Sequence, residues 1–257
     1  MPDQDIKAYM RERYDRFAER VARDIDPADQ RRAWATARGL RPALAYYRRR
    51  KIEAAIRLGG FREGAALLDV GCATGDYTFL FARMGYRMTG VDLSPRSVET
   101  ARQRSEVLGI SDIAFLQADA ETLSGVADGA FDGVISFSAL RYVPRLDAAL
   151  ASIRRVLRPG GVAVLDFPNR NSPWFSLLKG PLAVERHLYD NLYTADEISR
   201  MLTAAGFRDI RTERILFTSY LTPAWLLPLF KIADRIGEPL PFLNRLAAIV
   251  IARGVAV

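Results

Sequence analysis

Cysteine and histidine are almost missing from this chain: Cys72 and His187 are the single examples of each in 257 residues. One thiol excludes a disulfide within the chain, and one imidazole leaves His187 as the sole histidine candidate for a general base. Long apolar runs are missing too. The best stretch, 221–230, is cut by Pro223 and Pro228 and falls short of the roughly 20 residues a membrane-spanning helix needs. The opening Met-Pro-Asp-Gln-Asp has neither the basic start nor the apolar core of a secretory signal, so a cytoplasmic, soluble protein is expected. Internal repeats, low-complexity tracts and interdomain linkers are absent as well, which leaves one α/β core with decoration as the expected organisation.

The charge is unevenly placed. Of the net +7, residues 1–60 account for +6, with 15 Lys/Arg against 9 Asp/Glu. Such a bias attracts phosphates, anionic head groups or nucleic acid. It also reads as a solvated helix face, because the arginines alternate with acids at helical spacing.

Within that region, Ile6, Tyr9, Met10, Tyr14, Phe17 and Val21 recur at spacings of three and four, which predicts an amphipathic helix over 5–25. A second helix is expected over 43–58, stopped by Gly59-Gly60. Residues 1–60 are thus a helical N-terminal extension, and 61–257 a second unit of different pattern. From residue 65 on, short β-rich runs at 67–70, 87–91, 113–117, 134–137 and 162–167 alternate with helical patterns at 77–84, 95–108 and 146–157. That alternation predicts a doubly wound, Rossmann-like parallel sheet. Residues 168–193 read as an insertion, 194–205 as a helix opened by a Thr194/Glu197 capping box, and 207–217 and 246–257 as strands. A proline-punctuated stretch, 222–244, lies between those two strands, and the apolar 220–230 reads as a greasy lid or surface contact.

The chemistry concentrates in Asp69-Val70-Gly71-Cys72-Ala73-Thr74-Gly75, where the first strand gives way to a helix. Glycines there let backbone approach a ligand closely. The spacing is neither the G-x-G-x-x-G of a dinucleotide site nor the Gly-Lys-Ser/Thr of a P-loop. The acid at the strand end would repel a diphosphate but suits a cation such as the amino group and sulfonium of S-adenosylmethionine. A second acid, Asp92, ends the next strand, where it can accept both ribose hydroxyls, and a third, Asp119, follows the third strand. All three stand along the edge where open α/β sheets bind ligands.

Together these motifs resemble the class I S-adenosylmethionine-dependent methyltransferases, over roughly residues 43–257. The resemblance implies S-adenosylmethionine as cofactor and a seven-stranded sheet, mostly parallel with an antiparallel last strand. It implies that Asp69, Gly71, Ala73 and Gly75 surround the methionine moiety, that Asp92 with Leu93 holds the ribose, and that Asp119 with Ala120 holds the adenine. Residues near Ser136, in the fourth-strand motif, are implied to close over the cofactor. One departure stands out: the middle glycine of the loop is Ala73.

Methyl transfer is an in-line displacement whose main requirement is alignment, so no metal is needed and a base is optional. His187 is the candidate base. Tyr14, Tyr142, Tyr189 and Tyr193 are candidates for the acceptor pocket, each with core packing as the competing role. In Arg48-Arg49-Arg50-Lys51 only one or two residues of a helix can face a site, and one arginine is a candidate partner for the methionine carboxylate. The apolar 220–230 stretch suggests a small, hydrophobic acceptor (lipid, isoprenoid or polyketide-like), a peripheral membrane contact or a homodimer contact. Nucleic-acid methylation is the competing function, but the Asn/Asp-Pro-Pro-Tyr-type motif is replaced by Ser136-Phe137-Ser138-Ala139 and no RNA-binding module is appended. A non-catalytic cofactor-binding protein is the third reading.

Overall fold

The computed structural model describes residues 2–23, 42–110, 112–175 and 191–257. Seven strands form one sheet: β1 Ala66–Val70, β2 Arg87–Asp92, β3 Ile113–Gln117, β4 Phe131–Ser136, β5 Leu157–Pro168, β6 Phe207–Ile215 and β7 Ile249–Ala256. Their order is β3-β2-β1-β4-β5-β7-β6. The pairs β1–β2, β1–β4, β2–β3 and β4–β5 are parallel, while β7 runs antiparallel to both β5 and β6. The doubly wound sheet with a reversed last strand is therefore as expected. Because the order turns back at β1, the loops after β1 and β4 diverge and open a crevice at the C-terminal edge.

Among the described residues the α-helices are α1 Asp3–Arg23, α2 Pro42–Gly59, α3 Asp76–Arg83, α4 Pro95–Leu108, α5 Leu146–Val156, α6 Ala195–Ala204, α7 Leu227–Gly237 and the short α8 Pro241–Asn244. On one face of the sheet, Leu146, Leu150, Ile153 and Val156 of α5 and Ile198 and Leu202 of α6 pack on Leu68, Val134, Leu165 and Val250. On the other, Tyr46, Ile52, Ala55 and Leu58 of α2 meet Leu67, Ile135, Val164 and Ile251. Helix α2 is thus part of the covering layer, and an apolar cluster runs without a break across residue 60. The Thr194/Glu197 capping box is formed: Thr194 N–H donates to Glu197 Oε2 at 2.8 Å, and Glu197 N–H returns the bond to Thr194 Oγ1 at 3.3 Å.

The proline-punctuated stretch, to which the sequence assigned no element, is largely helical. Residues 227–237 and 241–244 are helical. Pro228 does not break α7, because it sits in the first turn, where its missing N–H costs no intrahelical bond.

Candidate functional site

The loops leaving β1, β2, β3 and β4 enclose a cavity of about 230 Å³ at the C-terminal edge of the sheet. Helix α1 forms its roof. Lys7, Met10, Tyr14 and Phe17 line it from above, a helical stripe in which one residue follows another by three or four positions. Two polar clamps hold that helix down. Lys7 Nζ lies 2.6 Å from both Asp119 Oδ2 and Glu121 Oε2, and Asp15 Oδ1 accepts from Ser94 Oγ at 2.5 Å, at the N-terminus of α4.

In the β1 loop, Gly71 has φ +76°, and a Cβ there would stand 2.2 Å from the Cβ of Ala139. Only glycine fits that approach. Ala73, the irregular residue of the loop, also adopts left-handed backbone, φ +46°, so it occupies a glycine-like conformation at some cost in strain. Its N–H donates to Asp92 Oδ2 at 2.8 Å, and Ser94 N–H donates to Asp92 Oδ1 at 2.9 Å. Burial pushes the Asp92 carboxyl up to about 6, against those backbone donors. Asp119 keeps both oxygens engaged as well, one by Lys7 and the other by the Glu121 N–H at 2.9 Å. A carboxylate has about four lone-pair sites, so each acid retains room for a ligand donor.

The cavity brings together Gly71, Ala73, Asp92, Leu93, Asp119, Ala120, Tyr14 and Tyr142. It does not bring in four other candidates. Asp69 is 2% exposed and lies off the cavity wall, accepting from Thr78 Oγ1 at 2.6 Å in the first turns of α3. Burial, then the Asp92 charge, pushes its carboxyl up to about 7. Thus Asp69 ties β1 to α3 and does not face the cavity. Gly75 caps α3 at φ +89°, where a Cβ would stand 2.7 Å from the Phe79 ring. Ser136 is fully buried and donates to the Val70 carbonyl at 2.8 Å, a brace between β4 and β1. Tyr193 packs edge-on against Phe167, centroids 5.5 Å apart, away from the cavity. His187 and Tyr189 lie outside the described residues.

Of the basic cluster on α2, Arg48 lines the cavity and pairs with Asp76, while Arg50 turns to Glu238 at 2.5 Å. Arg104 joins Asp76 at 2.8 Å; Arg48 and Arg104 hold the Asp76 carboxyl below the usual carboxylate range, against the opposing effect of burial. Lys51 is wholly buried, ion-paired with the equally buried Asp166. It also donates to Ser138 Oγ at 2.8 Å, and Ser138 N–H donates to Asp166 Oδ1 at 2.5 Å. This pair holds Ser138 at φ +59° on the cavity wall. Beside it, Tyr77 and Phe137 pack with centroids 4.6 Å apart.

The sequence reading missed Lys7, Arg48 as the particular arginine, Tyr77, Ser138 and the Lys51–Asp166 pair. Helical phase within 48–51 carries a signal for Arg48; the pairing of Lys51 with a residue 115 positions away carries none. β3 and β4 lie three strand spacings apart, roughly 14 Å. The cavity therefore has an acid-lined end at Asp92 and Asp119 and an aromatic end at Tyr77 and Phe137. Loss of water, then Tyr142 and Asp92, raises the Tyr14 phenol, and burial pushes Tyr77 up to about 12. Both remain O–H donors at neutral pH.

A family model described as a methyltransferase domain matches residues 68–165. A demethylmenaquinone methyltransferase of Tropheryma whipplei is 30% identical over 192 residues, covering 67% of this chain and 77% of that protein. A ubiquinone biosynthesis O-methyltransferase of Cereibacter sphaeroides is 29% identical over 162 residues, or 60% of this chain; the match spans 65% of the relative's length. Among solved structures, a SAM-dependent methyltransferase of Thermotoga maritima, described as a possible histamine N-methyltransferase, shares the fold with a TM-score of 0.63. Its identity is 19%, over 84% of this chain and 91% of that one.

Proposed function

Because this chain belongs to the class I S-adenosylmethionine-dependent methyltransferases, we propose that the acceptor it methylates is a small hydrophobic molecule of the lipid, isoprenoid or polyketide-like kind. The observation that carries this reading is the lining of the cavity. Besides the acids Asp76, Asp92 and Asp119 and the cations Lys7, Arg11 and Arg48, its walls carry Met10, Phe17, Phe137, Val143 and Pro144 with three tyrosines, a mostly apolar surface that rewards burial of apolar area. Relatives named as a demethylmenaquinone methyltransferase and a ubiquinone biosynthesis O-methyltransferase support the same class.

The donor set fits the cofactor. Asp92 offers two carboxylate oxygens to vicinal hydroxyls, Asp119 with the Ala120 backbone offers acceptor and donor groups to an adenine edge, and Gly71 leaves backbone uncovered. Arg48, which lines the cavity while paired with Asp76, is a cation that can meet a carboxylate. When bound, S-adenosylmethionine supplies a methyl carbon activated by its sulfonium. The chain's own work is alignment and exclusion of water: the aromatic end confines the acceptor, α1 covers the site, and Ser138 and the phenols of Tyr77 and Tyr14 present hydrogen-bonding groups to its polar atom.

Two measurements test the reading. Calorimetry with S-adenosylhomocysteine should show that Asp92→Ala weakens binding by about 1.5–3 kcal/mol, the worth of hydrogen bonds to a charged group; unchanged affinity would remove Asp92 from the cofactor site. A radiolabelled methyl-transfer screen of lipid and polar metabolite fractions should place the label in the organic phase. Turnover confined to polar acceptors would overturn the acceptor class.

A further inference from the structure

Helix α7 shows its apolar side to water. Leu229, Ile232 and Ile236 recur at i, i+3 and i+7 and are all exposed, forming a stripe roughly 10 Å long. Trp225, 77% exposed, precedes the helix; Leu240, Phe242, 82% exposed, Leu243 and Leu246 follow it. The inward side of α7 carries Leu227, Gly237 and the charged Asp234, whose carboxylate accepts from the N–H groups of Phe217 and Thr218 and from Thr218 Oγ1. A helix in plain water has the reverse arrangement, and so many large apolar groups in one short segment exceed the scatter normal on a monomer surface.

The charges of the segment sort in the same way. Its two acids turn inward, Asp234 as described and Glu238 onto Arg50 Nη2 at 2.5 Å and the Leu216 N–H at 2.8 Å. The charged side chains left exposed between residues 220 and 246 are Lys231, Arg235 and Arg245, all basic. The position is defined by topology. The segment leaves the C-terminal end of β6 and enters the N-terminal end of the antiparallel β7, so it stands at the same edge of the sheet as the cavity.

We propose that this face docks the protein on an anionic phospholipid bilayer, with α7 lying in the interface and the cavity edge turned toward the membrane. Apolar side chains flanked by basic ones, with no exposed acid between residues 220 and 246, match a lipid surface of negative charge. A two-fold contact with a second copy fits less well, because it would set Lys231, Arg235 and Arg245 of one protomer against those of its partner. The inference stands on this surface alone and goes beyond the choice of acceptor.

The test is flotation of the full chain with vesicles of phosphatidylcholine, with and without phosphatidylglycerol, in the absence of methyl donor and acceptor. The unsubstituted protein should float with the anionic vesicles. The variant carrying Leu229→Gln, Ile232→Gln and Ile236→Gln should lose at least about tenfold in partition. A variant carrying Lys231→Gln, Arg235→Gln and Arg245→Gln should lose roughly fivefold per charge, and only on anionic vesicles. All six positions lie outside the cavity, so melting temperature and S-adenosylhomocysteine binding report that the fold is intact. The proposal is overturned if the unsubstituted protein stays in the aqueous phase, or if the apolar triple variant floats equally well. It is also overturned if sedimentation shows a dimer that the triple substitution splits. Because no methyl transfer is read, these outcomes are separate from failure of the acceptor screen.

Discussion

Replacing Lys51 by methionine keeps most of the side-chain volume and removes its charge from a place no water reaches. The ammonium has zero exposure, ion-pairs with Asp166, donates to Ser138 Oγ at 2.8 Å and lies 4.6 Å from the centroid of the Tyr47 ring. Once it is gone, Asp166 retains the Ser138 N–H as a donor, and a buried carboxylate stands without its counter-charge. Breaking one side of a buried pair costs about 3–5 kcal/mol, a large part of the roughly 5–15 kcal/mol that holds a domain folded. For a chain of this size that is a fall in Tm of roughly 6–20 °C. Replacing both partners, Lys51→Met with Asp166→Leu, removes the stranded charge and should recover most of the loss, giving a coupling of about 2 kcal/mol or more. Urea unfolding followed by circular dichroism measures all three variants, with an unchanged m-value as the sign that folded and unfolded states are otherwise alike. Ser138 adds a second readout. Its left-handed backbone is held by this pair, so S-adenosylhomocysteine binding should weaken in both the single and the double variant. A single variant within about 1 kcal/mol of the parent, or a double variant as unstable as the single, would refute the reasoning.

Asp69 should give stability an unusual pH dependence. Its carboxyl is pushed up to about 7 in the folded chain from about 3.9 in the unfolded one, so the folded state holds the proton more tightly. Its contribution is present below about pH 4 and is lost as pH rises toward 7. Asp69→Asn can still accept from Thr78 and cannot ionise; its stability relative to the parent should rise across that range and be flat below it, as urea titrations at several pH values would show. Gly71→Ala should cost roughly 2–5 kcal/mol, from the approach to Ala139 and the left-handed backbone together. Ala73→Gly should fall within about 1 kcal/mol of the parent, because relief of strain is offset by the freer unfolded chain; thermal melts of the two variants compare them directly. Lys7→Ala should speed amide exchange along α1 without changing that of β1 and β4, since it removes one of the two clamps on the roof; protection unaltered in α1 would show that packing alone holds it.

Much of the site could be read from the chain because its parts are local. A glycine-rich turn after a strand and acids near the ends of successive strands are short-range patterns, and the parallel order of the sheet brings them to one edge whatever the loops contain. The roof and the aromatic end were less legible. The stripe on α1 marks a buried face, and the cavity that this face covers is formed by loops more than 50 residues away. The helices of the lid were missed for a local reason, since a proline in a first turn reads as a breaker until the turn is seen.

By itself, then, the sequence determined the layered sheet and the edge on which a cofactor can lie. It determined too that Ala73 stands where a glycine would be easier. Tertiary structure decided which of the acids face that edge. Asp92 and Asp119 do, whereas Asp69 is taken by Thr78: it stands in register with Gly90, two residues short of the level of Asp92, inside its strand and within reach of helix α3, while Asp92 closes its strand at the edge. Ser136, still inside β4, is buried against Val70, whereas Ser138 lies past the strand end, where left-handed backbone at φ +59° sets it on the cavity wall. Tertiary structure also turned Asp234 inward and the leucine and isoleucine stripe of α7 outward. Helical phase is visible in a sequence; which side of the helix meets the protein depends on backbone groups at Phe217 and Thr218 that only the folded chain brings into reach.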